Sequence, residues 1–216
     1  QAAWSLSPSA ERARIHGRIG RLLLERLDPA AREARLFEIV QHLEVGFDGS
    51  SAGRSELVGL CHRAGLKARA AAAYAPALRF AERALELLGE APNAPSDRAL
   101  DLHALAASAA YSNGEFERMD AHVDAVLDRT TDSRRRAEVY ETRLSAYIAR
   151  NLPTEAIDLT LAALPEYGVH LPRDPSAEEV GAAFASLLGE LGERGILGLA
   201  DAPDMTDATA LGAMSM

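Results

Sequence analysis

An all-α chain of stacked antiparallel helical hairpins is what this sequence predicts, on three observations. Apolar residues recur every three or four positions almost without interruption, and no run of period two occurs. Hydrophobic residues fill 48% of the 216 positions while aromatics fill only 5%, so the core must be built of alanine and leucine. Both are strong helix formers, and alanine lets helices approach closely. The breaks between periodic segments are short, which favours antiparallel neighbours.

Each element follows from local signals. The first helix spans Ser9 to Leu27, with Ser7 or Ser9 as cap and Ile15, Ile19, Leu22, Leu23 and Leu27 on its inward face. Asp28 caps a second helix that opens at Pro29, carries Leu36, Ile39, Val40 and Leu43 inward, and ends near Gly46. After the loop Gly46 to Gly53, a third helix covers Arg54 to Ala71 and a fourth Tyr74 to Gly89. Pro76 lies in the first turn of the fourth, where a missing amide proton matters little. Ser96 caps a fifth helix running to Ser112, and Gly114 divides it from a sixth, Phe116 to Asp128. The seventh runs from Arg134 to Arg150, and Pro153 opens an eighth that reaches Tyr167. Ser176 and Glu179 have capping-box spacing, and two weaker helices follow them. The closing stretch "TDATALGAMSM" reads as a helix cut off mid-course in a longer polypeptide.

Charge and cysteine use narrow the function. The net charge is −9, with seven Arg against six acidic residues in 1–45 and two Arg against nine in 166–216. An acidic chain without a basic stripe is a poor partner for a phosphate backbone, so no nucleic acid is expected. One cysteine, Cys61, allows no internal disulfide; it reads as a small buried residue in a cytoplasmic protein. No apolar run is long enough to cross a bilayer.

A repeat emerges when the hairpins are aligned. Tyr74, Ala77 and Ala84 in the fourth helix match Phe116, Met119 and Val126 in the sixth and Pro153, Ala156 and Ala163 in the eighth. Twelve residues before each middle position stand Gly65, Ala107 and Leu144 on the preceding helix. This resembles the tetratricopeptide repeat, whose helix pairs keep small residues at the crossing and an aromatic near the start of the second helix. The resemblance covers roughly residues 55–168 and implies a TPR-like α-solenoid. A single helix pair cannot bury its apolar face alone, whereas stacked pairs share a continuous core. A generic helical bundle with an alanine seam is the alternative.

A second resemblance spans nearly the whole chain. "RARIHGRIGRLLLERLDPAAREARLFEIVQHLEVG" is similar to the junction after the nucleotide-binding and winged-helix modules of large bacterial signalling ATPases of the STAND/AAA type. Those proteins carry "LH-x-RIG-x-LLL" followed by "LFEIVxHLN-x-G", here Ile15 to Gly20 and Leu36 to Leu43. Their next helix resembles Leu60 to Ala77, and "EYGVHLPRDPSAEEV" and "PDMTD" also have counterparts. Glu44 stands where Asn is usual, and the loop Phe47 to Gly53 is short. The family often joins a Ser/Thr kinase, the ATPase, this helical region, a GAF sensor and a histidine kinase. The resemblance implies a regulatory helical arm and no catalysis within it. It divides the chain into a first hairpin (1–53), repeats (54–168) and acidic C-terminal helices (169–216).

The chemistry-bearing residues give no active site. No phosphate-binding Gly-x-x-x-x-Gly-Lys-Ser/Thr loop, His-Glu-x-x-His pair or Gly-x-Ser-x-Gly elbow occurs. His16 and His42 read as helix-packing histidines, and Glu178 and Glu179 as charge favoured at a helix N-terminus. No catalytic, cofactor or metal residue is expected. A protein-binding groove would instead use the first helix of each pair: His62, Lys67, His103, Ser108, Arg143 and Tyr147. An independent scaffold binding peptide termini is the second reading; Lys67, the only lysine, makes a carboxylate clamp difficult. The alanine-rich helix surfaces predict self-association.

Overall fold

The computed structural model describes residues 9–89, 97–192, 195 and 203–216. Among them the structure is all-α, with eleven α-helices, one 3-10 turn and no strand. Contacts divide the chain into two compact units, residues 1–130 and 131–216, a boundary different from the motif-based divisions at 53 and 168. The predicted cap at Ser96 and the alternative cap Ser7 lie outside the described residues.

The first unit starts with α1 (Ser9–Arg26), α2 (Pro29–Ala34) and α3 (Leu36–Val45). The predicted second helix is therefore two, interrupted at Arg35, whose backbone turns out of helical geometry at φ −100° and ψ 18°. Asp28 caps α2 as expected, its carboxylate accepting the Ala31 amide at 2.8 Å, and Pro29 opens it. The inward face predicted for α1 is corrected. Its only buried residues are Gly17 and Gly20, while Ile15, Ile19, Leu23 and Leu27 are half-buried and Leu22 is exposed. At about 100° per residue, Ala13, Gly17, Gly20 and Leu24 form a stripe nearly opposite the Ile15–Ile19–Leu22 stripe. A Cβ on Gly46 would run into the backbone of Gly17 and stand 2.9 Å from the Ala13 carbonyl oxygen, and one on Gly20 would stand 2.7 Å from Leu43. Backbone thus meets backbone at this crossing, and close approach decides the face that α1 presents.

Four longer helices complete the unit: α4 (Ser51–Ala70), α5 (Tyr74–Leu88), α6 (Asp97–Ser112) and α7 (Phe116–Leu127). Helix α4 begins three residues before the predicted start and is capped by Ser50, whose hydroxyl accepts the Gly53 amide at 3.3 Å. Each helix packs on the next, and α4 also touches α6. Pro76 sits in the first turn of α5. Gly65 is buried where α4, α5 and α6 meet: a Cβ there would stand 3.4 Å from the Ala77 carbonyl oxygen and 2.9 Å from Leu105. Ala77 and Ala84 are fully covered, as are Ala107 and Met119 in the following pair. Tyr74 and Phe116, the first residues of α5 and α7, are half-buried.

The second unit contains α8 (Ser133–Ala149), α9 (Pro153–Ala163), a 3-10 turn (Leu164–Tyr167), α10 (Ala177–Leu191) and α11 (Ala208–Ser215). The predicted eighth helix tightens at Leu164 into that turn, with Pro165 inside it. Arg136 grips Glu166 with two bonds, 2.6 and 2.7 Å, and the Tyr140 hydroxyl joins them at 3.0 Å. Arg136 holds the Glu166 carboxyl below its ordinary range. Leu144 and Ala163 are buried but Ala156 is only half-buried, so the third aligned pair is looser than the first two. The capping box of α10 forms as expected: the Ser176 hydroxyl accepts the Glu179 amide, and the Glu179 carboxylate accepts the Ser176 amide at 2.8 Å.

Helix α11 is seated by one small residue. A Cβ on Gly212 would stand 2.5 Å from Tyr167 Cε1 and 3.3 Å from Ala137 Cβ, and the Tyr167 hydroxyl is tied to the Ser133 carbonyl at 2.8 Å. Gly212→Ala is expected to cost about 1–3 kcal/mol of this packing. Hydrogen exchange at residues 208–215 should accelerate while exchange in the first unit stays unchanged; unaltered exchange there would refute the seating.

Candidate interaction site

The residues singled out from sequence do not converge on one place. Arg143 and Tyr147 lie half-buried on α8, in the second unit. Lys67 donates to the Glu33 backbone carbonyl, stands 3.8 Å from the Glu33 carboxylate, and lies 5.4 Å above the Phe37 ring. It fastens α4 to α2 and α3. Ser108 is half-buried on α6. His62 and His103 belong to two different features of the first unit.

His62 lines a cleft of about 840 Å³. Leu24 of α1, Leu36 and Ile39 of α3 and Leu60 of α4 give it an apolar floor. Arg32, Arg63 and Arg98 stand on its rim, with Glu56 as the rim's carboxylate. Two of these arginines are held in place: Arg32 Nε donates to the Leu27 carbonyl at 2.8 Å, and Arg63 pairs with Glu33 at 2.5 Å. Burial lowers the His62 pKa, so the ring is neutral near pH 7. Apolar floor and cationic rim suit a protein segment that offers both apolar and acidic side chains.

His103 belongs to a network with one direction. Arg129 Nη1 lies 3.0 Å from His103 Nε2, His103 Nδ1 lies 3.0 Å from His122 Nδ1, and His122 Nε2 lies 3.4 Å from Glu82 Oε1. A guanidinium only donates, so His103 Nε2 accepts and its proton sits on Nδ1. That proton is donated to His122, whose own proton then sits on Nε2, facing the acceptor-only Glu82. Arg118 closes the chain by bonding both Glu82 and Glu115. The network joins α5, α6, α7 and the residue Arg129 beyond α7, and it requires both imidazoles to be neutral. Burial, then His122 and Arg129, push the His103 pKa down to about 4; burial also lowers that of His122.

A simpler pair joins α1 to α3, where His16 and His42 meet Nδ1 to Nδ1 at 2.8 Å. Burial lowers the His42 pKa. Cys61 is fully buried and its thiol is pushed up to about 12, so it behaves as a small apolar residue. Among the described residues no group of three His, Cys, Asp or Glu side chains gathers as a metal site, and no helix is long and apolar enough to cross a membrane.

Sequence reading missed the histidine pairing, although a signal existed. Ala107 and Met119 mark the crossing of α6 and α7; one turn back on the first and one turn forward on the second are His103 and His122. The cleft arginines carried no comparable signal, because Arg32, Arg63 and Arg98 come from three helices far apart in sequence. No family model matches the chain, and no curated protein or solved structure shows significant similarity to it.

Proposed function

We propose that the chain is a non-catalytic, TPR-like helical-repeat arm of a cytoplasmic signalling ATPase or kinase, acting through protein contacts within its own polypeptide. The observation that carries this reading is the arginine-rimmed apolar cleft, set in helices ordered by close small-residue crossings. The motif resemblance from Ile15 to Ala77 supplies the STAND-type context. An acidic amphipathic segment of the neighbouring ATPase module is the occupant that the charge of the rim favours. Tighter binding in one ATPase state than in another would shift the balance between states by that difference in affinity. The second reading, an independent scaffold for partner peptides, draws on the same cleft but needs a carboxylate clamp, and Lys67 is committed to Glu33 and Phe37.

Two measurements test the arm reading. The purified chain is expected to release no phosphate from ATP with Mg²⁺; release that tracks the folded chain would overturn the non-catalytic assignment. The coding sequence ahead of Gln1 is expected to specify a P-loop and a winged helix, and their absence would leave the scaffold reading.

A further inference from the structure

Few buried side chains hold α1. Gly17 and Gly20 are its only buried residues, and its crossing with α3 brings backbone against backbone. One polar pair spans that crossing. His16 stands next to Gly17, and the His42 carbonyl accepts the Gly46 amide at 3.1 Å, so the two imidazoles meet beside the glycines. Their Nδ1 atoms are 2.8 Å apart, and the rings are tilted by 38° with centroids 4.8 Å apart. Both residues are half-buried, which leaves them within reach of water and small ions.

Two imidazole nitrogens at this spacing match a chelate. With metal–nitrogen bonds of about 2.0–2.1 Å, a separation of 2.8 Å subtends about 85–90° at a shared ion. That is the cis angle of a square-planar or octahedral ion, whereas a tetrahedral ion would set the nitrogens about 3.3 Å apart. Cu²⁺ and Ni²⁺ adopt such geometry and favour imidazole. Among the described residues no group of three His, Cys, Asp or Glu side chains gathers, so water completes the coordination.

The protons allow it. In the metal-free pair one ring donates from Nδ1 and the other accepts. An ion bound through both nitrogens needs both lone pairs, so the donating ring moves its proton to Nε2. Each ring stays neutral with one proton, and none is released. Burial, then His16, lower the His42 pKa, so at pH 7.5 no second proton competes for that ring. The other histidine pair is closed to this chemistry. His103 Nε2 accepts from Arg129, and a proton moved there would aim a donor at a guanidinium.

We propose that His16 and His42 bind one Ni²⁺ or Cu²⁺ ion through their Nδ1 atoms, and that the ion pins α1 to α3. The site goes beyond the arm reading and does not depend on it, since both ligands and the crossing lie within the first unit.

Titration of the full chain with Ni²⁺ chloride at pH 7.5, followed by calorimetry, tests the site. One equivalent is expected to bind. His16→Gln and His42→Gln should each weaken binding by at least the roughly tenfold that loss of an outer-shell partner costs. Circular dichroism should show the helix content of both variants unchanged. His170→Gln, which alters an exposed histidine of the other unit, should leave the affinity as it was. The wild-type chain supplies a readout that needs no variant. At free Ni²⁺ about ten times its dissociation constant, opening that parts α1 from α3 is suppressed about tenfold. Amide exchange across residues 9–26 should slow by that factor while exchange in α6 and α7 stays unchanged. No binding up to about 1 mM Ni²⁺ overturns the proposal. Equal affinity in the wild type and both histidine variants overturns it too. Loss in one variant alone overturns the chelate, because a single ligand would then suffice. Binding that leaves exchange across residues 9–26 unaltered overturns the pin.

Discussion

Replacing Gly46 by alanine is expected to lift α1 off α3. Gly46 has φ −91° and ψ 11°, which alanine adopts readily, so the cost is not conformational. It lies in space: the new methyl would collide with the backbone of Gly17 and press on the Ala13 carbonyl oxygen. Backbone cannot rotate aside as a side chain can, so the two helices must part. The expected loss is about 3 kcal/mol, at the upper end of ordinary overpacking costs. Because α1 has only Gly17 and Gly20 buried, that loss should appear first as faster hydrogen exchange and proteolysis across residues 9–26. Gly59 provides the control. It sits inside α4 with no atom within 4 Å of a Cβ, so Gly59→Ala should stabilise by about 0.5–1 kcal/mol through helix propensity alone. Equal effects at the two positions would show that close approach does not govern α1.

Acidification from pH 7.5 to 5.0 is expected to weaken α6 and α7 through His103. Its pKa falls from the ordinary 6.5 to about 4, so the unfolded chain takes up a proton that the folded network refuses. Above about pH 6.5 both states are neutral and nothing is lost. Between 6.5 and 4 stability declines, by up to about 3 kcal/mol in total and about 2 kcal/mol at pH 5.0, and below 4 the decline ends. His122 acts in the same direction. The groups facing the pair are Glu82 on α5, Arg118 and Glu115 on α7, and Arg129 beyond it. Protonating His103 would put an Nε2–H donor against the Arg129 guanidinium and a cation beside it, and protonating His122 would set two Nδ1–H donors against each other. Glu33, Glu115 and Glu166, whose pKa values are lowered by arginine partners, lose their contribution in a lower window, below their ordinary value of 4.5. Urea unfolding and amide exchange in α6 and α7 at the two pH values measure the effect. His103→Gln should remove most of the difference; an unchanged pH dependence in that variant would exclude the network as its source.

Local chemistry was the most legible part of the sequence. Asp28 before Pro29, Ser176 three residues before Glu179, and Pro76 at a helix start each report on their own backbone, and each is found as read. The Gly65–Ala77 crossing was legible because a constant offset of twelve residues fixes the hairpin register. What escaped depends on competition between surfaces. Periodicity points to Ile15, Ile19 and Leu22 because they are large, yet α1 meets α3 through Ala13 and Gly17 because small residues let two backbones touch. The helix break at Arg35 and the meeting of Arg32, Arg63 and Arg98 likewise follow from tertiary placement, which no single segment encodes.

The two stripes of α1 answer to different tolerances. On one, a single methyl is too much, and chemical character hardly matters as long as the side chain is absent. On the other, where Ile15 and Ile19 are half-buried and Leu22 is exposed, size can vary more widely within the folded unit. Substitution there is limited only by whatever lies against it. One helix therefore holds a fixed register and an adaptable surface side by side. The chain could change what it meets without changing how it folds.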